Sequence, residues 1–461
     1  MFADWKRRIG GPGSFSSYLI NVEISGHGQH PESIFTRTSD TVLCRRTVRK
    51  QDFTQAVLFI SDRLCYNEFG FSNIWRKEAY FDMVLIKNGM IHDAIHAEPY
   101  KADILVDGDK ISAIGANLCC EGAEVYDAEG LSVYPGFVEA HGHIGMDGYA
   151  IGYEGQDYNE MNDPCTPQLR AIDGIKPGDQ ALLEAAAAGV TCLGIGPGSS
   201  NVLGGTFTAF KPVGKRIDKM VVKKEVAMKC AFGENPKRCY RDKGITSRMT
   251  TASKLREMLF KAREYKAKID AANGDITKMP AFDIKLNALI PVLEKKIPLK
   301  AHAHQADDML TALRIAREFD VDITLEHCTE GHLIADELAD EHVMLAVGPT
   351  LGHATKFELR NKSWTTPDVL NKAGCHVSII TDSPVIPQKY LPMCAGLAVK
   401  AGMDPFEALK AITINPAEHL GIADRVGSLE AGKDADIVIT DGDPFEIATE
   451  VKRVYINGAA I

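Results

Sequence analysis

From Met83 onward the chain is a succession of short apolar runs separated by Gly, Asp and Pro. The first runs are Val84-Leu-Ile-Lys-Asn-Gly-Met-Ile and Ala102-Asp-Ile-Leu-Val-Asp-Gly-Asp-Lys-Ile-Ser-Ala-Ile. The β-branched content and the Asp-Gly turn predict strands joined in a hairpin. The same texture returns at the far end, in Asp436-Ile-Val-Ile-Thr-Asp-Gly and Val451-Lys-Arg-Val-Tyr-Ile-Asn-Gly. A small β domain built from both ends of the chain follows from that placement.

Between these flanks the apolar runs lengthen and alternate with helical patterns. Strands are predicted at Gly136–Ile144, Gly189–Gly196, Gly204–Lys211, Glu225–Phe232, Leu299–His304, Ile323–Cys328, Val343–Gly348 and Val377–Thr381. Helical periodicity is clearest in Gln180–Ala188, Ser253–Ala272 and Asp308–Glu318. Alternating β and α elements with strands apolar on both faces predict a parallel sheet covered on both sides, and eight such strands close naturally into a (β/α)₈ barrel. The expected fold class is therefore α/β, a TIM barrel over 134–415 with a β-sandwich domain from 81–133 and 416–461. Residues 1–80 hold two of the three tryptophans and Arg45-Arg46, show no clear period, and are an extension without an assigned function.

Composition narrows the class of protein. The 461 residues are 45% hydrophobic and 25% charged, with a net charge of −10, which gives no reason to expect a polyanionic partner such as nucleic acid. Eleven cysteines are scattered from Cys44 to Cys394 without a CxxC pair, the usage expected of reduced thiols in a cytoplasmic protein. The N-terminus lacks an apolar leader, and no run is long enough to span a membrane. The expected partner is a small-molecule substrate, with self-association left open.

The candidate chemistry sits at the ends of the predicted strands. In Val133-Tyr-Pro-Gly-Phe-Val-Glu-Ala-His-Gly-His, two imidazoles two positions apart, His141 and His143, point to the same side of a strand and can reach one metal. His302 and His304 end the fifth candidate strand, His327 the sixth, and Asp382 follows the eighth. Barrel active sites are assembled at this C-terminal face from several strands. A histidine-rich set favours zinc, and iron or manganese meet the same criterion of softness. Glu330, His332, His353 and Lys356 follow strands six and seven, within reach of a substrate. The glycines from Gly194 to Gly205 lack the spacing of a phosphate-binding loop.

These segments resemble the amidohydrolase superfamily over residues 83 to 461, and its imidazolonepropionase-like and dipeptidase-like branch through Lys300-Ala-His-Ala-His-Gln-Ala-Asp-Asp and Leu325-Glu-His-Cys-Thr-Glu-Gly-His. Thr381-Asp382, Ala411-Ile-Thr-Ile-Asn-Pro-Ala-Glu and Gly427-Ser-Leu-Glu-Ala-Gly-Lys-Asp-Ala-Asp-Ile-Val share the likeness. The resemblance implies a metal-dependent hydrolase of carbon–nitrogen bonds with one or two divalent ions. His141, His143, His302, His327 and Asp382 would be ligands, Asp382 also the proton acceptor, with His304, His332 and Glu330 on the substrate side.

A second ion would call for a bridging group on a middle strand. In Val226-Ala-Met-Lys-Cys-Ala-Phe-Gly-Glu, the apolar Met228, Cys230 and Phe232 would face helices and turn Lys229 inward, where a carboxylated lysine could bridge. Glu234 is the alternative bridge and Lys211 the third choice. The expected substrate class is an amide, cyclic amide, N-acyl amino acid or dipeptide. Deamination of a heterocyclic amine, the alternative, would call for an acid at position 305, which is Gln305. A non-catalytic barrel scaffold is the reading from another class.

Overall fold

The computed structural model describes residues 83–461 and, ahead of them, three short strands, β1 (Tyr18–Ile20), β2 (Ile34–Thr38) and β3 (Thr41–Arg45). The chain divides into two units, Met1–Glu78 and Ala79–Ile461. In the first, β1, β2 and β3 pair antiparallel in that order. The rest of the 1–80 extension, with Trp5, Trp75 and Arg46, lies outside the described residues.

The second unit opens with β4 (Met83–Ile91), β5 (Tyr100–Asp107), β6 (Lys110–Gly115), β7 (Glu124–Asp127) and β8 (Ser132–Pro135). Then come the barrel strands β9 (Phe137–Gly142), β10 (Val190–Ile195), β11 (Leu203–Phe210), β12 (Val221–Ala231), β13 (Leu299–Ala303), β14 (Ile323–His327), β15 (Met344–Val347) and β16 (His376–Ile379). Finally β17 (Ile437–Thr440), β18 (Val451–Ile456) and β19 (Ala459–Ala460) return beside β8. The first five strands and these last three are joined by hydrogen bonds into one sheet, ordered β19-β18-β17-β8-β4-β5-β6 with β7 on β4. The sheet curls, since β6 at its edge meets the turn ahead of β17, where Ile111 N–H bonds Lys433 O and Gly432 N–H bonds Ile111 O. The curl wraps a core of Ile86, Ile104, Val106, Val133, Ile437 and Ile439.

The barrel sheet runs β9 to β16 in chain order. Every position of β10, β11, β13 and β14 is buried, as strands covered on both faces require. One expectation fails. β11 runs antiparallel to both β10 and β12, so seven strands are parallel and one is reversed. The cause is the connections: a parallel crossover takes about a dozen residues or more and usually a helix. Residues 196–202 contain no helix, and 211–220 contain only the short turn Ile217–Lys219.

Helices cover the remaining outer face. Arg248–Ala272 starts with a reciprocal cap between Ser247 and Thr250, and Ala306–Phe319 follows β13 directly. Met228 and Cys230 of β12, and Phe232 just past its end, pack with Leu255, Leu259 and Leu313 of these helices, which turns Lys229 to the barrel interior. No ladder joins β9 to β16. The seam is bridged by a shared segment, with Val138 N–H on Ile412 O and Ile379 N–H on Ala411 O, both 2.8 Å.

Candidate active site

At the C-terminal end of β9, Gly142 separates two imidazoles whose ring centroids are 5.4 Å apart. Each has one nitrogen fixed by the fold. His141 Nδ1 donates to Glu326 Oε2 at 2.8 Å, and His143 Nδ1 donates to the Gly196 carbonyl at 2.8 Å. His327 Nδ1 donates likewise to the Gly348 carbonyl at 2.8 Å. A donor requirement at Nδ1 puts the lone pair on Nε2, the arrangement usual for imidazoles that hold a metal.

Those lone pairs converge. His143 Nε2 is 3.1 Å and His141 Nε2 3.8 Å from Asp382 Oδ1. One ligand atom each from His141, His327 and Asp382 lie within 4.8 Å of one another, and the same holds for His302, His304 and His327. His302 offers two buried ring nitrogens without a hydrogen-bond partner, and His327 Nε2 and Asp382 Oδ1 are likewise unpartnered. Buried polar atoms are normally satisfied, so a concentration of acceptors facing acceptors fits a cation-binding site. The donor set of imidazoles and a carboxylate suits a transition ion.

Backbone strain helps to aim two of these groups. His327 has φ 76° and Asp382 φ 51°, left-handed values that cost a non-glycine residue about 1–3 kcal/mol. Strict alternation along β14 would turn Glu326 inward and His327 outward. The left-handed turn brings both inside.

Electrostatics sets the protonation states. Burial pushes the His141, His302 and His304 rings well below the ordinary imidazole value and His327 to about 4, so all four are neutral. Burial opposes ionisation of Asp382, but the adjacent His327, His143 and His141 rings outweigh it, and its carboxyl titrates below the ordinary range. Its side chain keeps 15% exposure.

Two lysines point into the barrel, and their partners differ. Lys229 Nζ donates to His141 Nε2 at 2.9 Å, and burial lowers its pKa to about 8. Lys300, two residues before His302, pairs with Glu326 Oε2 at 2.8 Å. Both ammonium groups lie over the Phe207 ring of β11, 5.5 and 5.4 Å from its centroid.

Glu326 is the hub of a fully buried network. It also meets Thr324 Oγ1 at 2.7 Å and His419 Nε2 at 2.9 Å, and that ring lies 2.8 Å from Lys300 Nζ. Glu139, two residues before His141, staples the seam. It accepts from the His141 and Thr381 N–H groups, both 3.0 Å, from Thr381 Oγ1 at 2.6 Å and from Gln388 Nε2 at 2.7 Å. Burial raises its pKa to about 7.

The other predicted residues make contacts of their own. Lys211, the third bridge choice, is displaced from it, because its ammonium is held by Asp436 and by Asp434 at 3.2 Å where the barrel meets the small sheet. Glu234 opens a short helix, and its backbone N–H bonds Glu358 Oε2 at 2.8 Å. Glu330 uses both oxygens on Ala306 N–H, Asn361 and Arg360. His332 is half-buried against Thr366 Oγ1, and His353 is exposed. Gln305 is buried, with its side-chain carbonyl unpartnered.

Sequence reasoning passed over Glu139, Lys300, Glu326, His419 and Glu358. A cavity of about 1050 Å³ lies beside the histidines rather than over them. Its lining includes Tyr158, which stacks on His143, and Gly204, which packs against Lys229.

A model of the amidohydrolase family matches residues 132–461. Over 389 residues the chain is 28% identical to Amidohydrolase tasK of Hapsidospora irregularis, a match spanning 78% of this chain and 39% of that protein. It is 38% identical over 140 residues to imidazolonepropionase of Thermoplasma volcanium, covering 28% of this chain and 34% of that one. The matches thus span well under two thirds of these relatives' own length. Among solved structures, an amidohydrolase from Thermotoga maritima MSB8 superposes with a TM-score of 0.80 at 39% identity, over 82% of this chain and 99% of that one.

Proposed function

The chain belongs to the amidohydrolase family, and from that membership and the geometry of the strand ends we propose that it hydrolyses a carbon–nitrogen bond with the help of one or two divalent metal ions. The observation that carries the reading is the convergence of unpartnered, buried donors, His302 Nδ1 and Nε2, His327 Nε2 and Asp382 Oδ1, beside His141 and His143. Zinc is the ion the set favours. When bound, such an ion supplies Lewis acidity, which lowers the pKa of a water it contacts from about 15.7 to about 7.

The chain's own groups supply the rest. Asp382, ionised and with 15% of its side chain exposed, accepts the proton of the attacking water and delivers it to the leaving nitrogen. Glu326 fixes the His141 ring, and the Gly196 and Gly348 carbonyls fix His143 and His327, so the donors are oriented before substrate arrives. Lys229, whose ammonium meets the His141 ring rather than a carboxylate, is the lysine available for carboxylation. Lys300 is committed to Glu326. An amide, cyclic amide, N-acyl amino acid or dipeptide is the substrate class, and Gln305 leaves a deaminase without its acid. His304, His332 and Glu330 border the substrate side in this reading, and the enzyme acts in the cytoplasm.

The test is a screen of the purified protein against N-acyl amino acids, dipeptides, lactams and aminated heterocycles. Ammonia release from the heterocycles without cleavage of any amide would overturn the choice of substrate class.

A further inference from the structure

We infer that Glu358 is a metal ligand, and that with His302, His304 and His327 it forms a divalent-cation site of its own next to His141, His143 and Asp382. The inference rests on the metal-dependent reading above and goes beyond it by adding a carboxylate that the resemblance does not assign and by moving His304 from the substrate side to the metal.

Glu358 lies on the short turn Phe357–Leu359 that follows β15, and it is 1% exposed. Its Oε1 is 3.7 Å from His302 Nε2 and 3.7 Å from His304 Nε2. At 3.7 Å none of these contacts is a hydrogen bond. Ligands about 2.0–2.2 Å from one ion are separated by about this much, so the spacing suits atoms that share a cation.

The three rings enclose a common space. Centroids are 4.3 Å apart for His302 and His327, 4.7 Å for His302 and His304, and 4.7 Å for His304 and His327. Outward nitrogens are already used, His304 Nδ1 with Thr329 Oγ1 at 2.7 Å and His327 Nδ1 with the Gly348 carbonyl. His302 has both nitrogens buried and unpartnered, which points independently to a missing partner.

The carboxylate is held in place for this task. Oε2 accepts the Glu234 N–H at 2.8 Å, and Lys356 Nζ, 2.6 Å from Oε1 and 3.2 Å from Asn235 Oδ1, balances its charge. Gly233, at φ 78°, has no side chain to intervene, since a Cβ there would come within 2.5 Å of Oε2. Three imidazoles and a carboxylate are a ligand set for zinc and its neighbours, not for calcium or magnesium.

The test counts ions. Full-length protein is stripped with chelator, equilibrated with zinc over a range of free concentrations, and its bound zinc measured by mass spectrometry alongside far-ultraviolet circular dichroism. Wild type is expected to bind two equivalents, and Glu358→Gln and His304→Asn one each, at zinc levels that fill both sites in the wild type. His304→Asn carries the test if Glu358→Gln fails to fold. Two equivalents bound with wild-type affinity in the folded variants would overturn this inference alone, as would a wild type that binds only one. A wild type that binds none would overturn the metal-dependent reading as well.

Discussion

Glu326→Gln isolates the buried charge network beneath the centre. The carboxylate and the Lys300 ammonium, 2.8 Å apart, are each about 1% exposed or less. Glutamine is nearly isosteric. Its carbonyl can still accept from His141 Nδ1, and its amide can donate toward Thr324 Oγ1, so the contacts survive while the negative charge is lost. Lys300 then keeps the neutral amide oxygen and His419 Nε2 at 2.8 Å, but loses its carboxylate partner. Breaking one side of a buried ion pair costs about 3–5 kcal/mol. Burial already lowers the Lys300 pKa, and losing Glu326 lowers it further. A lysine with a depressed folded pKa binds fewer protons folded than unfolded, so the variant should gain stability as pH rises toward the unfolded value of about 10.4. Lys300→Met with Glu326→Gln removes both charges and should recover most of the loss. Chemical denaturation of chelator-treated protein, followed by circular dichroism, measures each. A single variant within about 1 kcal/mol of wild type at pH 7, or a double variant no better than the single, would refute the reasoning.

Asp382→Asn should keep the fold and lose several orders of magnitude in turnover, read by steady-state kinetics, because an amide cannot accept the proton; a loss under about tenfold with metal retained would remove Asp382 from that role. Lys229→Ala should lose metal and most activity, with partial rescue by short-chain carboxylic acids, while Glu234→Ala leaves the metal count unchanged; metal analysis of both variants decides between the two bridges. Gly233→Ala should destabilise the protein by about 1–2 kcal/mol for its left-handed backbone, and more because the new methyl displaces Glu358, as a lowered thermal midpoint will show.

Much of this centre could be read from strand alternation. His141, His143, His302 and Asp382 stand at the ends of apolar runs bounded by small residues, and the structure brings them together. The same period held more than was taken from it: Glu139 lies two residues before His141 and Lys300 two before His302, which places each pair on one face. Glu326 and His327 are adjacent, so alternation could admit only one of them, and the left-handed φ at His327 is a tertiary outcome that no pattern encodes. The direction of β11 was equally silent, since a run buried on both faces reads the same either way. Only its helix-free connections carried the signal. Glu358 sits on an irregular turn, where side-chain direction is set by contacts with Gly233, Glu234 and Lys356 rather than by local period.

The most direct test of metal-dependent carbon–nitrogen hydrolysis is the activity of one purified batch before chelation, after chelation and after zinc is returned, with bound metal counted at each stage. The account predicts one to two equivalents at the start, loss of amide cleavage as the metal leaves, and recovery as zinc rebinds. A metal-free protein that still hydrolyses its substrate at the original rate would contradict it.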